Sequence, residues 1–107
     1  MDNSAGEKIR IEIDQDLMPV IPEYLEGRRR DCAEIERLLV SGSMENIKSL
    51  AHRMKGSGGS FGFDEISGIG EALELAAQAA DAEGIRSAVV RLETYLARVT
   101  VVYTQGI

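Results

Sequence analysis

The sequence predicts an all-α domain, an antiparallel up-down four-helix bundle with a short N-terminal extended arm. Four stretches repeat apolar residues at spacings of three and four. Breaks rich in Gly, Ser and Asp separate them, and such short connections favour antiparallel neighbours. A chain of 107 residues, 44% hydrophobic and 28% charged, is one soluble domain's worth with a single core.

Residues 1–8 are polar and expected to fray. Ile9, Ile11 and Ile13 alternate with Arg10 and Glu12, a strand-like pattern, but the sequence offers no second strand to pair with it. Residues 1–14 are therefore expected to form an arm packed on a bundle of residues 15–105. Helix one runs through Ile21, Tyr24, Leu25, Cys32, Ile35, Leu38 and Leu39, with one polar slot at Arg28. Pro22 suits its first turn, and Glu23 lies near the positive end of its dipole. Arg28, Arg29 and Arg30 could be a binding patch, but Glu23, Glu26, Asp31 and Glu34 surround them, and a solvated, ion-paired face is the expectation.

Gly42 reads as a helix stop and Ser43 as the next N-cap, so helix two runs from about Met44 to Gly59 or Ser60. Asp64 reads as the N-cap of helix three, whose stripe is Ile66, Ile69, Leu73, Ala76, Ala77 and Ala80. The alanines on that stripe suit close approach of a neighbouring helix. Helix four continues through Ile85, Ala88, Val89, Leu92, Leu96, Val99 and Val102.

Helix two carries the only histidine, His52. At 100° per residue, Glu45, Lys48, Lys55, Gly56 and Gly59 fall within about 60° of it. Ile47, Leu50, Met54 and Phe61 take the opposite, apolar side. A lone histidine in a helical protein is usually a satisfied core or surface residue, but this one points away from the core stripe. Glycine in a helix interior costs about 0.5–1 kcal/mol relative to alanine. Gly58 and Gly62, nearer the apolar side, could admit a packed helix, whereas Gly56 and Gly59 clear space for a partner approaching the imidazole.

Charge narrows the class of partner. The net charge of −6 argues against nucleic acid, which needs a basic face. From Asn46 to Phe63 the charged residues are Lys48, Arg53 and Lys55, a basic island on an acidic protein that favours an acidic partner site. The sequence has no apolar run long enough to span a membrane and no secretory leader, so a cytoplasmic protein is expected. One cysteine, Cys32, cannot form an internal disulfide and falls on an apolar stripe; with one histidine, the usual zinc spacings are absent.

Ala51-His52-Arg53-Met54-Lys55-Gly56-Ser57, followed by Gly58-Gly59-Ser60-Phe61-Gly62, resembles the signature of the histidine phosphotransfer (HPt) family, His-x-x-Lys-Gly-Ser on the second long helix of a four-helix bundle. Ile21-Pro22-Glu23-Tyr24-Leu25 and the pair Leu73-Glu74 fall where the family has similar residues. The resemblance covers roughly residues 15 to 103. It implies that His52 reversibly accepts a phosphoryl group from a receiver-domain aspartate, through the ring nitrogen far from the backbone, and passes it to another receiver.

Elementary chemistry is consistent with that role. A neutral imidazole has a lone pair able to attack phosphorus. Lys48 and Lys55 favour the neutral ring and can compensate the charge that a phosphoryl group brings, with Lys55 the expected phosphate-stabilising residue. Glu45, Lys48, Ser49, Arg53, Gly56 and Gly59 are the expected docking surface. The sequence has no Gly-x-x-x-x-Gly-Lys-Ser/Thr loop and shows no carboxylate cluster next to His52 to hold magnesium. No cofactor is expected on this chain, and the divalent cation is expected on the partner receiver.

The expected partners are response-regulator receiver domains and a hybrid histidine kinase, with the chain a monomeric phosphocarrier rather than a kinase. Two alternatives come from other classes. One is a non-catalytic helical interaction module in which His52 is incidental; the other is the phosphoacceptor fragment of a histidine kinase.

Overall fold

The structure is a computed structural model that describes residues 7–105. The elements are strand β1 (Ile9–Asp14), a 3-10 turn (Gln15–Leu17), helices α1 (Ile21–Val40), α2 (Met44–Ser60), α3 (Asp64–Gln78) and α4 (Ala82–Arg98), and strand β2 (Val99–Thr104). The first six of the eight residues expected to fray lie outside the described region; Glu7 and Lys8 are exposed.

Each helix begins and ends for local reasons. Pro22 occupies the first turn of α1 with Glu23 beside it. The chain leaves α1 through Gly42 at φ +74°, a left-handed conformation that costs glycine little, and the Ser43 N–H closes back on the Leu38 carbonyl at 2.9 Å. Ser43 stands at the N-cap of α2, but its hydroxyl makes no cap bond and instead meets the Ser41 hydroxyl at 3.0 Å. Phe63, not Asp64, is the N-cap residue of α3, and Asp64 is the first helical residue. Its carboxylate therefore sits in the first turn, where the dipole favours it, without capping. Asp81 does cap α4, accepting the Gly84 N–H at 3.0 Å.

The four helices enclose one core. Ile35, Ile47, Phe63, Ile66, Ile69 and Ile85 are fully buried within it. α2 packs on α1 and most extensively on α3, and α4 closes the ring against α3 and α1. Cys32 belongs to the core. Phe61 is only half-buried, its ring 4.5 Å from that of Tyr24. Ala80 is exposed at φ 53° beyond the end of α3, so the alanine stripe ends at Ala77.

Two expectations fail together at the termini of the domain. Helix four stops at Arg98, and Val99 to Thr104 form the strand that β1 was expected to lack. The two strands pair in parallel, Ile9 with Val99, Ile11 with Val101 and Ile13 with Tyr103. Val99 and Val102 fit the helical spacing, but the run from Val99 to Thr104 holds three valines, two threonines and a tyrosine, residues that favour strands. Ile13 is the strand residue driven deepest, 3% exposed. It also explains Gly62, which has φ +94° and whose missing side chain leaves room for the Ile13 Cδ1, not for a helix.

The arginine cluster on α1 is ion-paired as expected: Arg28 with Asp31 at 2.8 Å, Arg29 with Glu26 at 3.1 Å and Arg30 with Glu23 at 2.7 Å. Glu34 pairs with Arg37 instead. Arg28 also lies 4.6 Å from the centroid of the Tyr24 ring, which explains its place on an otherwise apolar stripe.

Candidate functional site

α2 presents His52 to solvent from the middle of its length. Ala51 and Met54 on either side are buried, so the imidazole points outward, and its side chain is 72% exposed. Glu45, Lys48, Ser49 and Arg53 from the same helix join it, with Glu74 of α3, around an open depression of about 430 Å³. Gly56, one turn later, has open space where a side chain would be, with no heavy atom within 4 Å of a Cβ placed there. Gly59 turns away from the depression toward the start of α3, where a Cβ would meet the Ser67 hydroxyl at 3.5 Å and the Asp64 carboxylate at 3.7 Å.

One contact was not visible in the sequence. The Nδ1 atom of His52 lies 3.0 Å from Oε2 of Glu74, twenty-two residues away. Helical projection of α2, which placed only Glu45 among the acids near His52, could not register one delivered by α3. The Glu74 side chain is 19% exposed, far less open to water than the histidine it meets. An ionised carboxylate only accepts hydrogen bonds, so Nδ1 must carry the proton in this contact. In the neutral ring that leaves the lone pair on Nε2.

The basic island is likewise less bare than the sequence suggests. Lys55 Nζ stands 3.7 Å from Glu71 and 4.0 Å from Glu74, a pair of loose contacts on an exposed face. Their length, and the exposure of Lys55 and Glu71, make them weak, and the ammonium can leave them for a stronger anion at little cost. Arg53 lies between the depression at His52 and a second one, of about 340 Å³, between α1 and α2. There the Tyr24 and Ser57 hydroxyls meet at 2.8 Å. Asp31, on the same rim, has its carboxyl pushed above the usual range by burial, against the opposing pull of Arg28.

The seam with α3 is held by small residues. The Ser67 hydroxyl accepts the Gly59 N–H at 2.7 Å and donates to the Lys55 carbonyl at 2.7 Å, bridging two groups that an α-helix ordinarily joins directly. Gly58 is the close-packing glycine expected from the sequence, for a Cβ there would stand 2.5 Å from the Ser67 nitrogen. Among the described residues, no group of three or more His, Cys, Asp or Glu side chains gathers in a way that could hold a metal ion.

The exposed mid-helix histidine thus has one ring nitrogen bonded to a carboxylate and an unobstructed glycine face beside it. The family model of the Hpt domain matches residues 19–100, and the chain belongs to that family. Hpt domains are the histidine phosphocarriers of two-component phosphorelays, and they interact with receiver domains and histidine kinases. Comparison with curated proteins gives no match, and no solved structure matches. Among the described residues, no helix is long and apolar enough to cross a membrane.

Proposed function

We propose that His52 is the phosphoacceptor of a phosphorelay, taking a phosphoryl group from an aspartyl phosphate on one receiver domain and passing it to another. The observation that carries this reading is the bond from Nδ1 to Glu74, which leaves Nε2 as the free nucleophilic nitrogen on a largely exposed ring. In the forward step the Nε2 lone pair attacks phosphorus in line, the N–P bond forms, and the O–P bond to aspartate breaks. The receiver's carboxylate leaves with that electron pair. The ring becomes cationic as it reacts, and the Glu74 carboxylate compensates the charge through the Nδ1 proton. Reversal transfers the group to the next receiver.

Phosphoryl transfer is mostly positioning and charge stabilisation. Lys55 exchanges its loose contacts with Glu71 and Glu74 for the phosphoryl oxygens, which offer a stronger charge-assisted hydrogen bond. The divalent cation comes with the receiver. Glu45, Lys48, Ser49, Arg53 and Gly56 form the docking surface, with Gly59 at its edge where α2 meets α3.

The helices follow an antiparallel up-down order. Short connections support it, as do contacts that step in opposite directions along α2 and α3, from Ser67 and Gly59 to Glu74 and His52. Residues 15–105 form the phosphotransfer unit and residues 1–14 its arm, which works as a cytoplasmic monomer without kinase activity of its own and receives phosphate by way of a hybrid histidine kinase. The test is incubation with a phosphorylated receiver and magnesium. The parent chain should take up label and His52→Gln none, while the variant's unfolding free energy stays within about 1 kcal/mol of the parent's, as for an exposed position. Undiminished label on the variant would remove His52 from the mechanism.

A further inference from the structure

The geometry points to Gly70 as the residue that delivers Glu74 to the imidazole, and hence as a positioning residue for His52. This rests on His52 being the reactive group, but the test below does not.

A Cβ placed at Gly70 would stand 2.6 Å from the Lys55 nitrogen, 2.9 Å from the Lys55 Cα and 3.0 Å from the Ala51 oxygen. All three are backbone atoms of α2, on either side of His52, so no side chain can swing aside to make room. Restoring an ordinary contact of 3.4 Å from 2.6 Å requires the helices to part by about 0.8 Å at this level. Glu74 lies one turn further along the same face of α3, and its bond to Nδ1 is 3.0 Å long. If the displacement carries through, the pair opens to about 3.8 Å, beyond hydrogen-bonding distance. The Ser67 bridge anchors the other end of the seam, so α3 would swing away at the histidine level rather than slide as a whole.

A glycine that served packing alone would affect stability and nothing at the ring. Gly70→Ala is therefore examined by long-range proton–nitrogen NMR of the imidazole in the unphosphorylated, 15N-labelled protein, at a pH where the ring is neutral. The expected result is a roughly tenfold fall in the ratio of the Nδ1–H to the Nε2–H tautomer, the loss of one charge-assisted hydrogen bond, with Glu74→Ala marking the limit. A cooperatively folded Gly70→Ala with the parental tautomer ratio would overturn the proposal, because flexibility of the Glu74 side chain would then have absorbed the displacement. Should Gly70→Ala not fold, Glu74→Asp withdraws the carboxylate by one methylene without touching the seam. It must produce the same tautomer shift, and retention of the Nδ1–H form would equally overturn the proposal. Neither readout involves phosphate, so a failure of His52 as acceptor would leave the result interpretable.

Discussion

Replacing Gly56 by glutamine should make the protein more stable and a poorer phosphoacceptor. A Cβ at this position would meet no heavy atom within 4 Å, so the larger residue overpacks nothing. What remains is backbone propensity, worth about 0.5–1 kcal/mol when glycine in a helix interior is replaced by a good helix former. For a domain of this size that corresponds to a rise in Tm of roughly 2–8 °C. The same side chain would stand one turn from His52 on the face over which a receiver must approach. Displacing the reacting groups by about 1 Å can cost up to about 100-fold in rate, so transfer should slow roughly 10- to 100-fold. Thermal unfolding followed by circular dichroism gives the first quantity, and the rate of label transfer from a phosphorylated receiver gives the second. A stabilised variant with parental transfer would refute the assignment of this face to docking. A fall in stability would show that Gly56 is needed for packing.

Other consequences follow from the same geometry. Lys55→Ala should slow transfer by about 1.5–3 kcal/mol in activation free energy if its hydrogen bond forms in the transition state, and more than Arg53→Ala does; equal effects that vanish at high salt would indicate steering by the basic island as a whole. Transfer should require a divalent cation in the presence of the receiver, and titration calorimetry on the isolated chain should find no tight site. Micromolar binding with His52 as ligand would favour an interaction module. Burial, with Glu93 and Asp31 adding to it, pushes the Cys32 thiol up to about 11 from its ordinary 9.0. The neutral thiol is thus favoured by folding, a contribution present below about pH 9 and lost as pH rises through about 11. Alkylation at pH 8 should be slow in the native protein and fast after denaturation, and rapid native labelling would contradict the burial.

The helices were legible because each buries a continuous stripe, and a stripe is a property of one segment. Ile35, Ile47, Ile69 and Ile85 all fell where spacing put them. The strand pair was not legible, because β1 and β2 lie at opposite ends of the domain and pair in parallel, with no hairpin turn to announce them. The β-branched run at Val99–Val102 was the available signal, but the spacing of Val99 and Val102 also matched a helix. At the site, His52 and its exposure followed from its position opposite Ile47, Leu50 and Met54. Glu74 did not, because its relation to His52 depends on how closely α3 approaches α2. That distance is set by Gly58, Ser67 and Gly70; of the three, Gly58 was legible as a place for a packed helix, whereas Gly70 in sequence looks only like a weak point of α3.

The role of His52 is tested most directly by locating the phosphoryl group after transfer from a phosphorylated receiver. Mass-spectrometric mapping, phosphorus NMR and the stability of the label in acid and base together identify the residue, the atom and the bond. A single acid-labile, base-stable phosphoryl group on Nε2 of His52 is expected. Label on Nδ1, on another residue, or in an acid-stable linkage would contradict it.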